Sequence, residues 1–413
     1  MKKEVVIIGG GIIGLSAAYY LLKEGHTVTV IDQSDISSGA SFVNAGFISP
    51  SHVIPLAAPG MVTMGIKMMF NRASPFYLKP RFDLDLIKWA WMFKKSATAK
   101  HVREAAPIIK NFTVFSRELF EEMKGSMPFD FHLERKGLLM CYQTSKFEEK
   151  EAKIAEAARY EGLEVLHIEK SKLKGMEPEM DAEGAFYYVD DSQSTPDDFM
   201  KSFYKYLKSS GVQFITNEEV LGFERNSNKI TNLITNKQQV KFDELVVASG
   251  SWSPILAKKL GVKMLVQAGK GYRINVNRKT GIKYPAILAE LNTAVSPMDG
   301  FTRFGGTMEI AGINEKINMG RVKAIAKAAH TFYPNVTITK QEMEGAACGL
   351  RPVSPDGLPF IGRANSISNV CFATGHAMMG WSQAHATGKL VSEILSNKKP
   401  SLNIVPFSVE RFN

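Results

Sequence analysis

Apolar and polar positions divide the chain into segments of two periods. Val5-Val6-Ile7-Ile8 is a continuous apolar run of strand length, the pattern of a strand buried on both faces. Leu15, Ala18, Tyr19 and Leu22 then recur at helical spacing, and Gly25 ends that helix. Thr27-Val28-Thr29-Val30-Ile31 reads as a second strand. Helices are expected over Glu104 to Met123, Phe147 to Tyr160 and Asp197 to Leu207, the last with Pro196 near its first turn. Strands are expected over Gly137 to Tyr142, Val212 to Ile215 and Asp243 to Gly250. From Lys270 the pattern alternates as antiparallel strands do, through Val276, Ala286 to Met298 and Phe301 to Ile310. Helices over Gly320 to Phe332 and through Ala384, Thr387, Val391 and Leu395 follow.

The first two strands enclose the candidate chemistry. Gly9, Gly11 and Gly14 form G-x-G-x-x-G directly after the first strand, and Asp32 ends the second. Such glycines permit a tight turn, backbone approach to a pyrophosphate and close helix–strand packing. The helix start offers free N–H groups to phosphate, and the acid can accept from ribose hydroxyls. Small residues and hydroxyls follow at Ser37 to Ser41 and Asn44-Ala45-Gly46, suited to a loop lying against a ligand. A nicotinamide domain usually completes its sheet in about 150 residues. Here the βαβ-like pieces spread along the whole chain, which argues for FAD rather than NAD.

Residues 50–100 differ from the rest. Pro50, Pro55 and Pro59 interrupt regular structure, and Met61, Met64, Met68, Met69 and Phe70 follow. Phe76, Tyr77 and Leu78 come next, then Leu84, Leu86, Ile87, Trp89, Trp91 and Phe93 before Lys94 and Lys95. This segment suits packing in a substrate domain or a surface that dips into lipid.

With 413 residues, 45% hydrophobic and 22% charged, the chain is long enough for two domains of ordinary globular composition. The net charge of +10 suits anionic lipid, anionic ligands or solubility alone. No nucleic-acid recognition motif accompanies it. Cys141, Cys348 and Cys371 have no metal-ligand spacing, no metal is expected, and so sparse a count fits a reducing compartment. No apolar stretch is long enough to span a bilayer. A cytoplasmic protein is expected, with peripheral contact at the inner membrane face left open.

Together with Ser49-Pro50, Ala58-Pro59-Gly60, Lys270-Gly271-Tyr272, Gly349-Leu350-Arg351-Pro352, Asp356-Gly357 and Gly375-His376, these motifs resemble the D-amino-acid oxidase/glycine oxidase-type FAD-dependent oxidoreductases. Within that family the similarity is to the bacterial D-amino acid dehydrogenases. The resemblance implies mixed α/β and α+β architecture: a discontinuous Rossmann-like FAD domain and a mostly antiparallel substrate domain. The expected FAD segments are 1–82, 150–222, 240–264 and 345–413; the substrate segments are 83–149, 223–239 and 265–344.

Carried over residue by residue, Gly9, Gly11, Ile12, Ile13 and Gly14 would hold the FAD pyrophosphate, and Asp32 and Gln33 the adenosine ribose. Ser38, Gly39, Ala40 and Ser41 would line the pyrophosphate and ribityl chain, and Asn44, Ala45 and Gly46 the isoalloxazine. Val220, Ala248, Ser249, Gly250 and Trp252 would sit along the adenosine side. Gly375, His376, Ala377, Met378, Met379 and Gly380 would bring N–H groups and a helix N-terminus to the flavin C2 carbonyl. Arg351 would grip a substrate carboxylate through two parallel hydrogen bonds. Tyr272 would offer a hydroxyl, His52 would shape the side-chain pocket, and Arg273 and Arg303 could neutralise a carboxylate or face solvent.

The implied reaction is oxidative deamination of D-amino acids. Hydride passes from Cα to flavin N5, the imine is hydrolysed to a 2-oxo acid and ammonia, and electrons leave to a quinone or respiratory acceptor. The alternative is oxidation of a small secondary amine or imino acid: glycine, sarcosine, D-proline or cis-4-hydroxy-D-proline. Cys348 lies one residue from the cysteine that carries covalent flavin in the sarcosine oxidase branch, and non-covalent FAD is expected here.

Overall fold

In the computed structural model, residues 1–61, 63 and 76–412 are described. Met64, Met68, Met69 and Phe70 of the Met-rich segment lie outside that set. A six-stranded sheet runs in the order Gln213–Ile215, Thr27–Ile31, Glu4–Ile8, Glu244–Val247, Val370–Thr374, Phe360–Arg363. The first five strands are parallel and the last is antiparallel. Alternation along the strands divides the core in two. Val5, Ile7, Val28, Val30 and Val246 face the helices Ile12–Lys23, Ala99–Ser126, Pro196–Ser209 and Ala384–Leu395. Val6, Ile8, Ile31, Leu245 and Val247 face the other way, toward Ile230, Leu233 and the helix Ser253–Lys259. Both faces are covered, which is why these strands read as unbroken apolar runs.

The second sheet has nine strands. Its edge strand is Ala347–Val353, followed by Gln267–Val276, Phe301–Ile310, Thr293–Met298, Ala286–Leu288, Leu138–Tyr142, Gly184–Tyr188 and Val165–Glu169. Phe76–Leu78 pairs alongside the end of Phe301–Ile310. The helix Met319–Phe332 covers one face through Val322, Ile325 and Phe332.

The segments divide between the sheets differently from the expected ranges. Val165–Glu169, Gly184–Tyr188 and Ala347–Val353 belong to the nine-stranded sheet, although 150–222 and 345–413 were expected to serve the nucleotide domain. Residues 223–239 lie in a three-stranded sheet whose Ile230 and Leu233 pack against the nucleotide sheet. The helix Ala99–Ser126, expected with the substrate segments, packs Ile109, Phe112 and Phe120 into the nucleotide core. Each correction has one cause: sheet membership depends on pairing between distant strands, which periodicity does not encode. Among the described residues no helix is long and apolar enough to cross a membrane.

One core feature carries a pH dependence. His385 meets the Phe120 ring edge-on at 4.1 Å, and both its nitrogens lack partners among the described residues. Burial pushes its pKa from 6.5 to about 3. His376 is pushed to about 3 and His52 to about 4 by the same cause. The unfolded chain binds protons on these rings before the folded one does, so stability is lost as pH falls below the unfolded value. Asp191, pushed up to about 7 by burial, acts with the opposite sign. For His385 alone the loss near pH 5 is about 2 kcal/mol. A His385→Leu variant is expected to lose about 2 kcal/mol less than wild type between near-neutral pH and about pH 5 in urea unfolding. An unchanged difference would show that His385 does not titrate in the unfolding transition.

Candidate active site

The turn after the strand Glu4–Ile8 explains its glycines. Gly9 has φ 111°, a conformation that side chains rarely adopt. A Cβ on Gly14 would run into the Gly9 carbonyl oxygen, so its absence lets the helix Ile12–Lys23 close on the turn. The Ile12 amide donates to Ser41 Oγ at 2.9 Å. The Gly10 amide donates to Asp32 Oδ2 at 2.6 Å, and Ser34 donates to Oδ1 through its amide and its hydroxyl. Asp32 thus ties the end of the second strand to the glycine turn.

Gly9, Ile12, Asp32, Ser34 and Ser41 border one cavity of about 610 Å3, within the roughly 300–1,000 Å3 usual for cofactor and ligand sites. Gly9, Gly11, Ile12, Ile13, Asp32 and Gln33 line one end with Ser38, Gly39, Ala40 and Ser41. Val220, Ala248, Ser249, Gly250 and Trp252 form the adjoining wall. Asn44, Ala45, His376, Ala377, Met378, Met379 and Gly380 continue it. Gly14, Gly46 and Gly375 do not border the cavity. They serve close packing instead: Gly46 lies against the Ser194 carbonyl and Gly375 against the Phe360 ring.

Residues Gly375 to Gly380 form turns, and the helix begins only at Ala384. They bring backbone to the cavity without a helix N-terminus, which corrects the sequence expectation. His376 is a structural anchor, with Nε2 2.9 Å from Thr387 Oγ1 in the helix that follows.

Arg351 and Tyr272 are brought close, but on different faces of the nine-stranded sheet. Gly269 pairs with Arg351, and Gly271 with Gly349. A Cβ on Gly271 would collide with the Arg351 guanidinium, so the glycine opens the space in which that group lies. Nη1 of Arg351 donates to the Thr307 carbonyl at 2.7 Å. No carboxylate among the described residues meets this guanidinium. Burial alone pulls its pKa from 12.5 to about 10, so it stays charged at neutral pH.

Tyr272 borders the cavity but is only 2% exposed, and its hydroxyl donates to Glu309 Oε2 at 2.8 Å. Glu309 also meets Lys270 at 3.5 Å and Arg321 at 2.9 Å. The Tyr272 hydroxyl is therefore engaged in a buried ionic cluster on the far face, rather than offered to a substrate. His52 borders the cavity as a neutral imidazole, with Nδ1 lacking a partner among the described residues.

The positioning roles of three groups, Arg303, Ser296 and Asp191, escaped the sequence reading. Arg303 is 0% exposed and neither faces solvent nor waits for a ligand. It donates to the Phe42 carbonyl at 2.9 Å, the Asn44 carbonyl at 2.7 Å and Asp197 Oδ1 at 2.9 Å. Ser296 Oγ donates to the Ala45 carbonyl at 2.8 Å. The nine-stranded sheet thereby fixes the Asn44–Ala45 wall. Asp191 accepts from the Ser51 amide and hydroxyl, at 3.1 and 2.6 Å, and so holds the loop carrying His52. Only the Asp-Asp pair in a turn could have drawn attention to it.

Residues 4–394 match the family model for FAD dependent oxidoreductases. The chain belongs to that family. It is 31% identical over 399 residues to a D-amino acid dehydrogenase of Helicobacter pylori, covering 95% of each chain. A D-amino acid dehydrogenase of Neisseria meningitidis is 28% identical over 419 residues, covering 99% of each. Among solved structures, glycine oxidase from Geobacillus kaustophilus superposes with a TM-score of 0.79 at 21% identity, covering 100% of this chain and 99% of that one. L-proline dehydrogenase from P. horikoshii gives 0.76 at 20% identity, covering 100% and 98%. These two likenesses concern the fold.

FAD is therefore the cofactor of this oxidoreductase, and the cavity fits it: its lining includes backbone of the glycine turn and, in Arg351, a cation without a carboxylate partner among the described residues. Alternation on the strand Ala347–Val353 bears on its attachment. The Gly349 side-chain direction meets Ala40 and Val43 on the cofactor side. Cys348 points oppositely, its Sγ donating to the Glu315 carbonyl at 3.4 Å. Acid precipitation of the yellow protein is expected to leave the flavin in the supernatant; colour in the pellet would contradict that. Gly14→Ala is expected to yield colourless protein, read as the ratio of flavin to protein absorbance.

Proposed function

We propose that this flavoenzyme is a D-amino acid dehydrogenase, and that Arg351 holds the substrate carboxylate. The observation carrying the reading is the guanidinium itself: charged, enclosed and without a carboxylate partner among the described residues. The side chain is half-buried and borders the cavity, so an anion entering the cavity can reach the charge. A planar fork suits a carboxylate, and two parallel bonds fix orientation as well as affinity. The hand and class of substrate rest on the two D-amino acid dehydrogenase relatives.

In this reading the glycine turn and Ser41 hold the pyrophosphate end of FAD, Asp32 the ribose, and the wall from Asn44 and Ala45 to Gly380 the ring. FAD, when bound, accepts the hydride from Cα. The chain's own part is to orient and to enclose. Arg351 fixes the carboxylate, the Arg303-held loop keeps the wall in place, and His52 stays neutral and adds no charge near the amine. No strong base is required when the amine enters unprotonated, and water hydrolyses the imine to a 2-oxo acid and ammonia.

The electron acceptor in this reading is a membrane quinone, with a cytoplasmic enzyme touching the inner face. The helix Leu84–Ser96 turns Leu86, Trp89 and Phe93 inward, against Leu56, Met61, Phe76 and Met308 of the cavity wall. Its other side exposes Leu84, Ile87 and Trp91 at 64, 51 and 61%, with Phe82 at 95% just before it. Lys88, Lys94 and Lys95 are exposed beside them. Apolar side chains rimmed by lysines suit an anionic bilayer surface.

Anaerobic bleaching of the flavin's visible absorbance tests the reaction. Rapid bleaching by D-amino acids and none by their L-isomers is expected, with slow reoxidation in air and fast reoxidation by a quinone. Bleaching by glycine or sarcosine instead would move the enzyme to the alternative reading, an oxidase or dehydrogenase of a small amine. For the surface, Ile87→Glu with Trp91→Glu is expected to abolish flotation with anionic liposomes while leaving flavin reduction unchanged. Equal flotation would remove this helix from the contact.

A further inference from the structure

The strand carrying Gly271 and its neighbour Phe301–Ile310 fall out of step at one point. Lys270 pairs with Glu309 but Tyr272 with Gly306, so Gly271 faces two residues, Thr307 and Met308. This is a β-bulge, a device that re-aims side chains beside active sites. Thr307 sits in it at φ 68°. A β-branched residue in the left-handed region is strained, whereas glycine adopts it freely. Two glycines stand immediately before it, Gly305 and Gly306, yet the strained position is filled by threonine. A threonine kept at such a position needs a use for its side chain.

The surroundings supply one. The Thr307 carbonyl accepts from Arg351 Nη1 at 2.7 Å, so the residue that carries the hydroxyl touches that guanidinium. Thr307 Oγ1 is buried and has no partner among the described residues, although the residue borders the cavity. A buried hydroxyl without a partner is rare and costly, and a bound group at the cavity side would satisfy it. Nη1 is committed to the carbonyl, which leaves the rest of the guanidinium edge for a ligand.

We propose that Thr307 is a carboxylate-binding residue: its carbonyl seats Arg351, and its hydroxyl donates a second hydrogen bond to the carboxylate that Arg351 grips. This rests on the amino acid reading above. The bulge thus brings a cation and a neutral donor to one anion, and the hydroxyl's bond, charge-assisted on a carboxylate, is weaker on the corresponding neutral amide.

The test compares wild type, Thr307→Ser and Thr307→Gly. The substrates are the D-amino acid that bleaches the flavin fastest and its primary amide. Glycine suits the left-handed backbone and keeps the carbonyl, so Thr307→Gly is expected to match wild type in flavin content and melting temperature. Its KM for the acid is expected to rise about tenfold or more and its KM for the amide by a smaller factor, so the acid-over-amide preference falls. Thr307→Ser, which keeps the hydroxyl, is expected to retain the wild-type preference. An unchanged preference in Thr307→Gly overturns the proposal, whether or not KM moves. A wild-type enzyme reduced by no amino acid overturns the underlying reading instead, and the proposal with it.

Discussion

A guanidinium that borders the cavity without a carboxylate partner among the described residues is the constraint around which this molecule is arranged. Arg351 is held by a backbone carbonyl, given room by the missing side chain of Gly271, and left without an acid among the described residues. Tyr272 and Lys270 are engaged with Glu309 behind the sheet, and His52 is kept uncharged by burial. The positive charge is therefore available to an incoming anion, and little else in the cavity competes for that anion.

Arg303 shows the opposite treatment of the same side chain. It is fully buried, and Asp197 and two backbone carbonyls take up its charge and donors. One arginine binds the protein to itself and the other waits for a ligand, although the two stand on neighbouring parts of one sheet. The compensated arginine keeps the Asn44–Ala45 wall registered against the sheet that carries Arg351, so the proposed cofactor wall and the proposed carboxylate site share one scaffold.

The glycine turn, its helix and both flanking strands were legible in the sequence because all their determinants are local. Gly9, Gly14 and Asp32 act within a short span of chain, and the apolar runs announce strands covered on both faces. Arg351 was legible through its motif. What failed was whatever depends on register between distant strands. Tyr272 and Arg351 looked like partners, but pairing across three strands turns the Tyr272 hydroxyl toward Glu309. Arg303 gave no local signal, since its partners Phe42 and Asn44 lie 261 and 259 residues away. The strands Val165–Glu169 and Gly184–Tyr188 were missed: their tyrosines and charges blur the alternation, and their pairing places them in the second sheet. The bulge at Thr307 was invisible for the same reason, because an extra residue in a ladder exists only relative to its partner strand.

The central claim, that Arg351 is the anion receptor of this flavoenzyme, is tested most directly by titrating the oxidised holoenzyme with a small carboxylate lacking an amino group, such as benzoate, and following the flavin spectrum. The account predicts a saturable perturbation in wild type. It predicts at least about a hundredfold weaker affinity in Arg351→Met with flavin still bound, the scale of losing one partner of a buried charge pair. Equal affinity in the two proteins would contradict it.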